Sequence, residues 1–229
     1  MISLMNENLA QNLSDVREKI ANAARKANRN ADEIKLVAVS KTHSAQKINE
    51  AIAAGATVFG ENKVQEAEGK IAEIGREKAE WHLIGHLQSN KARKAVQLFD
   101  VVHTLDSFEL AERLERICIE ENRASLSVFA QIDLANEATK NGIKEADLPR
   151  LIGFLRDCKH LKFDGLMIIP PYFEDLEKVR PFFRRLRELR EKILPAGELS
   201  MGMSHDFAIA IEEGATLIRV GTAIFGKRF

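Results

Sequence analysis

Residues 36–42 read Leu36-Val37-Ala38-Val39-Ser40-Lys41-Thr42. The apolar run is too short for a helix and carries no polar alternation, which fits a strand buried on both faces. Strands of that kind belong to parallel sheets covered by helices. Ser44 follows where a helix N-cap is wanted, and a helical pattern then runs to Gly55.

Outward from this segment the same alternation repeats. Further candidate strands are Thr57–Gly60, Trp81–Gly85, Val101–Leu105, Ser127–Leu134, Phe163–Ile169, Leu199–Met203 and Thr216–Val220. Helical patterns lie between them at Val64–Ile74, Lys91–Leu98, Glu109–Glu120, Leu148–Cys158, Asp175–Ile193 and Phe207–Glu213. Ahead of them all, Leu9, Leu13, Val16, Ile20 and Ala24 recur at helical spacing, and Asn28–Asn30 ends that helix. Strands alternating with helices imply parallel β-α-β units with right-handed crossovers. The pattern predicts an α/β protein, a single (β/α)8 TIM-type barrel with an additional N-terminal helix. An open doubly wound sheet is the alternative. No Pro/Gly/Ser-rich linker divides the chain, so residues 1–229 are expected to form one domain. A closed barrel of about 250 residues is an ordinary size.

Composition narrows the function. Lys+Arg and Asp+Glu number 34 each, so no bulk field favours nucleic acid or an anionic membrane. No segment has the roughly 20 apolar residues that span a bilayer, and residues 1–15 lack a signal peptide's apolar run. The two cysteines, Cys118 and Cys158, cannot brace a chain this long. A reduced, cytoplasmic setting is expected. The arginines of Phe183–Lys192 read as a solvated helix face, because Leu186, Leu189 and Ile193 keep helical spacing.

In a barrel, functional residues sit at the C-terminal ends of strands, and the loops after strands seven and eight often bind phosphate. Here strand seven leads into Gly202-Met203-Ser204-His205-Asp206, and strand eight into Gly221-Thr222-Ala223. Met203, Ser204, Gly221 and Thr222 are therefore candidate binding residues, offering hydroxyls and free backbone N–H groups near a helix start. Ser204 as a helix cap and Gly221 as a plain turn is the structural alternative.

Lys41 ends the first core strand at the same mouth. A partly buried lysine has a depressed pKa, and its neutral amine can form a Schiff base with an aldehyde. A lysine and a phosphate site on one rim suit a phosphorylated aldehyde. Pyridoxal 5'-phosphate (PLP) leads; the sugar phosphate of a lysine-dependent aldolase is the other candidate. Arg219 lies inside the apolar run Leu217-Ile218-Arg219-Val220 and needs a partner, either a buried carboxylate or the pyridine nitrogen of PLP. Asn62 and His82, at the ends of strands two and three, are placed to meet a ligand or fix its surroundings. His82 and His86 are four apart, a weak hint of metal binding. His43, His103 and His160 read as structural or surface residues. Tyr172 is the only tyrosine.

Taken in order, Ala38-Val39-Ser40-Lys41-Thr42, Phe59-Gly60-Glu61-Asn62, His82 to Lys91, Gly165-Leu166-Met167, Leu199 to Ser204 and Arg219 to Gly226 cover nearly the whole chain. Together they resemble the YggS/PROSC family of PLP homeostasis proteins. That resemblance implies a barrel similar to the N-terminal domain of alanine racemase, without the C-terminal β domain. It implies Lys41 as the Schiff-base lysine, phosphate contacts from Ser204, Gly221 and Thr222, and Arg219 near the ring nitrogen. It also implies a role in PLP (vitamin B6) supply without an established catalytic reaction, with PLP-dependent apo-enzymes as recipients. A PLP-dependent amino-acid racemase or decarboxylase is the alternative. A racemase needs acid/base groups on both faces of the substrate carbon. Related racemases take a tyrosine from the β-rich second domain across a dimer. With the chain ending at Phe229, soon after the eighth strand, that domain is expected to be missing, the protein to be a monomer, and no enzymatic turnover to occur.

Overall fold

The computed structural model describes residues 3–135 and 141–226, with side chains from residue 9 onward. Eight parallel strands close into a barrel in sequence order: β1 (Lys35–Val39), β2 (Val58–Glu61), β3 (Glu80–Leu83), β4 (Val101–Leu105), β5 (Leu126–Gln131), β6 (Leu161–Met167), β7 (Glu198–Met203) and β8 (Leu217–Val220). β8 pairs back onto β1, with Val37 opposite Arg219, so the open-sheet alternative falls. Most strand bounds lie within one or two residues of those expected. β5 is the exception, ending at Gln131 where the expected strand ran on to Leu134.

Side chains alternate across the barrel wall. Val37, Val58, Val101, Phe129, Met167 and Leu217 pack together inside it. Phe59, Trp81, Val102, Val128, Leu166 and Ile218 face outward into the layer beneath the helices. Those helices are α2 (Ala45–Ala53), α3 (Val64–Ile74), α4 (Ala92–Leu98), α5 (Phe108–Glu120), α6 (Leu148–Asp157), α7 (Arg180–Ile193), α8 (Phe207–Glu212) and α9 (Thr222–Phe225). Ser44 caps α2 as expected, accepting from the Lys47 N–H at 3.3 Å. The α9 turn has no apolar period of its own, so the sequence pattern does not predict it.

α8 and α9 have only 6 and 4 residues and leave part of the wall uncovered. The 24-residue α1 (Ser3–Lys26) packs against both of them and α2. It buries Leu9, Leu13, Val16, Ile20 and Ala24, the stripe its sequence shows. Arg29, just past its end, donates to Ile211 O and Ala215 O at 2.9 and 2.8 Å, pinning the helix to the α8 corner.

Candidate cofactor-binding site

Lys41 leaves β1 at the C-terminal mouth, and the backbone of Ser40 just before it is held from three sides. Ser40 N donates to Gly60 O at 3.1 Å, and Ser40 O accepts from His43 N at 3.1 Å and Lys70 Nζ at 2.8 Å. Thr42 has φ +68°, a conformation a β-branched residue rarely adopts. Its N–H donates to the Glu66 carboxylate, which holds the residue there. Behind this turn lies a buried ionic cluster. Lys70 Nζ donates to Glu61 Oε1 and Glu66 Oε1 at 2.8 and 2.6 Å, and Ser40 Oγ donates to Glu61 Oε1 at 2.6 Å. Burial pushes the Glu61 pKa up against the pull of Lys70 and Ser40. Burial also acts on Glu66, but Lys70 and the Thr42 N–H outweigh it and hold that carboxyl down.

Lys41, Asn62, Met203, Ser204, Arg219, Gly221 and Thr222 all line one cavity of about 330 Å³ at this mouth. Val39, Ile84 and Ile169 supply its apolar wall, and His205 its rim. Asn62 is placed by a close approach: a Cβ on Gly85 would lie 2.3 Å from Asn62 O. β7 carries a register shift between Ser200 and Met203, with Gly202 at φ +93°. The extra residue re-aims Met203 and Ser204 toward the mouth. Only glycine fits there, because a Cβ would meet Ala210 Cβ at 2.6 Å. The backbone N–H groups of Gly221 and Ala223 converge on Ser204 Oγ at 3.2 and 3.4 Å. Two backbone donors and a hydroxyl thus gather at one end of the cavity, a setting suited to an anion.

Arg219 approaches from below and is 4% exposed. Among the described residues no carboxylate is hydrogen-bonded to it. Nη1 donates to Ser200 Oγ at 2.6 Å and Nη2 to Ile168 O at 2.8 Å. Burial pulls its pKa down to about 10 while Asp206 works to raise it, so the guanidinium stays charged at neutral pH.

His103 is not at the surface; it is fully buried inside the barrel, stacked on Phe129 with ring centroids 4.6 Å apart. His82 is also buried and lies below the cavity, its Nδ1 2.8 Å from His103 Nε2. His86 turns outward to Asp106 at 3.0 Å. The two histidines four apart in sequence therefore diverge, and among the described residues no group of His, Cys, Asp or Glu could hold a metal. His43 stacks on Phe225, and the exposed Tyr172 stacks on His205 at the rim. The burial of His103 fits the structural one of the two readings given for it, whereas Lys70 escaped sequence reading. A buried helix lysine resembles a surface one until its partners are known.

Burial lowers the pKa of His82, against the pull of Glu80, and lowers that of His103 further. A histidine held neutral in the fold loses stability as pH falls below its unfolded value near 6.5, because only the unfolded chain takes up the proton. Each such histidine contributes a slope of about 1.4 kcal/mol per pH unit there. Urea midpoints are expected to hold near pH 8 and fall from 6.5 toward 5; a flat profile would contradict neutral burial.

The model of the alanine racemase N-terminal domain family matches residues 11–228. The chain is 39% identical over 226 residues to the pyridoxal phosphate homeostasis protein of Aquifex aeolicus, covering 96% of this chain and 99% of that one. PipY of Synechococcus elongatus, solved with PLP bound, superposes with a TM-score of 0.83 at 41% identity, covering 95% of this chain and all of PipY. Alanine racemase of Corynebacterium glutamicum shares the fold, with a TM-score of 0.69 at 17% identity; 97% of this chain matches 61% of that enzyme.

Proposed function

The chain belongs to the alanine racemase N-terminal domain family and, within it, to the pyridoxal phosphate homeostasis proteins, and from that premise we propose that it binds PLP, attached covalently through Lys41, as a carrier serving intracellular PLP supply. The observation that carries the reading is the meeting of three complementary chemistries in one cavity of about 330 Å³: a lysine amine, a buried guanidinium, and the donors around Ser204 and Gly221. A small phosphorylated aldehyde with an aromatic ring nitrogen fits that donor set, and the volume is in the usual range for small-molecule sites.

PLP, when bound, supplies an aldehyde for an amine and an electron-withdrawing ring. The rest is the work of the protein. Lys41 holds the aldehyde carbon. Ser204, Gly221 and Thr222 would hold the phosphate, beside the backbone N–H groups of Gly221 and Ala223. Val39 and Ile84 wall the ring, while Asn62 and Met203 complete the lining. Arg219, which lines the same cavity, would face the ring nitrogen. A guanidinium has donors only, so it leaves that nitrogen unprotonated and weakens the ring's pull on electrons.

The carrier reading is favoured over a racemase or decarboxylase by the lining of the cavity. Besides Lys41, the described lining offers one acid/base group, His205, and its ring is engaged with Phe173 O and Tyr172. PLP-dependent apo-enzymes are the recipients in this reading. A monomer is supported by closure of the sheet, which leaves no strand edge to pair. A cytoplasmic site is supported by two free cysteines; no helix among the described residues is long and apolar enough to cross a membrane. Chiral analysis of L- and D-amino acids incubated with the PLP-loaded protein tests the reading. Negligible racemisation is expected, and steady turnover at about 1 s⁻¹ or faster would overturn it.

A further inference from the structure

Asp206 is the carboxylate whose charge acts on Arg219, but one hydrogen bond of the guanidinium leads the other way, through Ser200 toward the N-terminal mouth. Ser200 Oγ, which accepts from Arg219 Nη1, is 2.8 Å from His103 Nδ1. His103 Nε2 is 2.8 Å from His82 Nδ1, and His82 Nε2 is 2.8 Å from Glu80 Oε1. Ser200, His82 and His103 have no solvent exposure. Glu80 lies at a second cavity, of about 920 Å³, at the opposite mouth, and Lys35 Nζ sits 3.2 Å from the same carboxylate oxygen. We propose that Glu80, His82, His103 and Ser200 are positioning residues for the cofactor site, a single-file hydrogen-bond chain through the barrel that orients Arg219 and ties it to a carboxylate at the far mouth.

The ends of the chain dictate its direction. Arg219 can only donate, and an ionised Glu80 can only accept. Glu80 therefore takes the proton of His82 Nε2, which leaves His82 Nδ1 as an acceptor. His103 must then donate from Nε2 and accept at Nδ1, and the Ser200 hydroxyl supplies that proton while its oxygen accepts from Arg219. Every link is satisfied in one arrangement, with both imidazoles neutral and protonated on Nε2. An added proton on His82 would reverse the links to His103 and Ser200 and place a second cation in line with the guanidinium. The charged groups acting on the two rings are Glu80, Lys35, Asp100 and Arg219, and burial dominates all of them. The bottom of such a barrel ordinarily serves stability and the top function; here a bottom carboxylate sets the posture of a top residue.

The chain itself is a property of the unliganded protein, whereas its consequence for PLP rests on the reading above, so two measurements separate them. Long-range ¹H–¹⁵N spectra of protein labelled at histidine are expected to show His82 and His103 protonated on Nε2 only, unchanged between pH 6 and 8. A proton on Nδ1 of either ring would overturn the proposal whatever PLP does. In the loaded protein, Ser200→Ala removes the bond to a charged donor and is expected to displace the visible PLP band and weaken PLP binding about tenfold. Glu80→Gln, at the opposite mouth, keeps the acceptor and removes the charge. It is expected to displace the band in the same direction by less. Band position and affinity unchanged in both variants would overturn the coupling to Arg219. Failure of the wild-type protein to take up PLP would instead refute the functional reading and leave the chain to the histidine spectra.

Discussion

Lys41→Ala is expected to abolish covalent retention of PLP while leaving a weakened, reversible binding. The amine is the attachment point in the proposed site, and among the described residues no other lysine lines the cavity. Ser204, Gly221, Thr222 and Arg219 all remain, so phosphate and ring contacts survive the substitution. The side chain leaves a mouth position that is only partly buried, so the barrel should keep its stability. Borohydride reduction followed by peptide mass mapping reads the outcome: one pyridoxyl-labelled lysine in the wild type, at position 41, and none in the variant. A dominant label on another lysine would remove Lys41 from its assigned role.

Lys70→Met is expected to be the most destabilising conservative change near the site. Among the described residues, Lys70 is the cation that bonds Glu61, Glu66 and the Ser40 carbonyl together. Its loss leaves Glu61 without solvent and without a counter-ion, and Glu61 Oε2 already lacks a hydrogen-bond partner. Removing one member of a buried pair costs about 3–5 kcal/mol. The sign of the pH dependence follows. Burial has already raised the Glu61 pKa, and losing Lys70 raises it further. A carboxyl raised in the fold has its favourable contribution intact below the unfolded value near 4.5 and loses it as pH climbs through the folded value. The deficit should therefore be larger at pH 8 than at pH 5, and Glu61→Gln added to Lys70→Met should recover most of it. Chemical denaturation of the two variants at both pH values checks this. Equal deficits at the two pH values would mean that the cost is lost packing and not an orphaned carboxylate. PLP retention should fall as well, because the same cluster holds the Ser40-Lys41-Thr42 turn.

The sequence by itself determined the barrel and the mouth at which its ligand is to be sought. Periodicity is local, so a run such as Leu36–Val39 shows its burial on both faces without its neighbours. Parallel strands also carry every C-terminal end to one mouth. Lys41, Asn62, Ser204, Arg219 and Gly221 could thus be gathered into one site from strand ends alone, although up to 180 residues separate them. Only the tertiary structure decided who pairs with whom inside the wall. Strand alternation says that His82, His103, Ser200 and Arg219 face inward, but the stagger between strands and the β7 bulge decide which of them stand 2.8 Å apart. The four-residue spacing of His82 and His86 suggested a pair that the turn after β3 separates. Lys70 looked like any helix lysine until α3 laid it over Glu61 and Ser40. Those contacts join residues far apart in sequence, and a buried polar group is settled by the partner that closure brings to it, which no local pattern encodes.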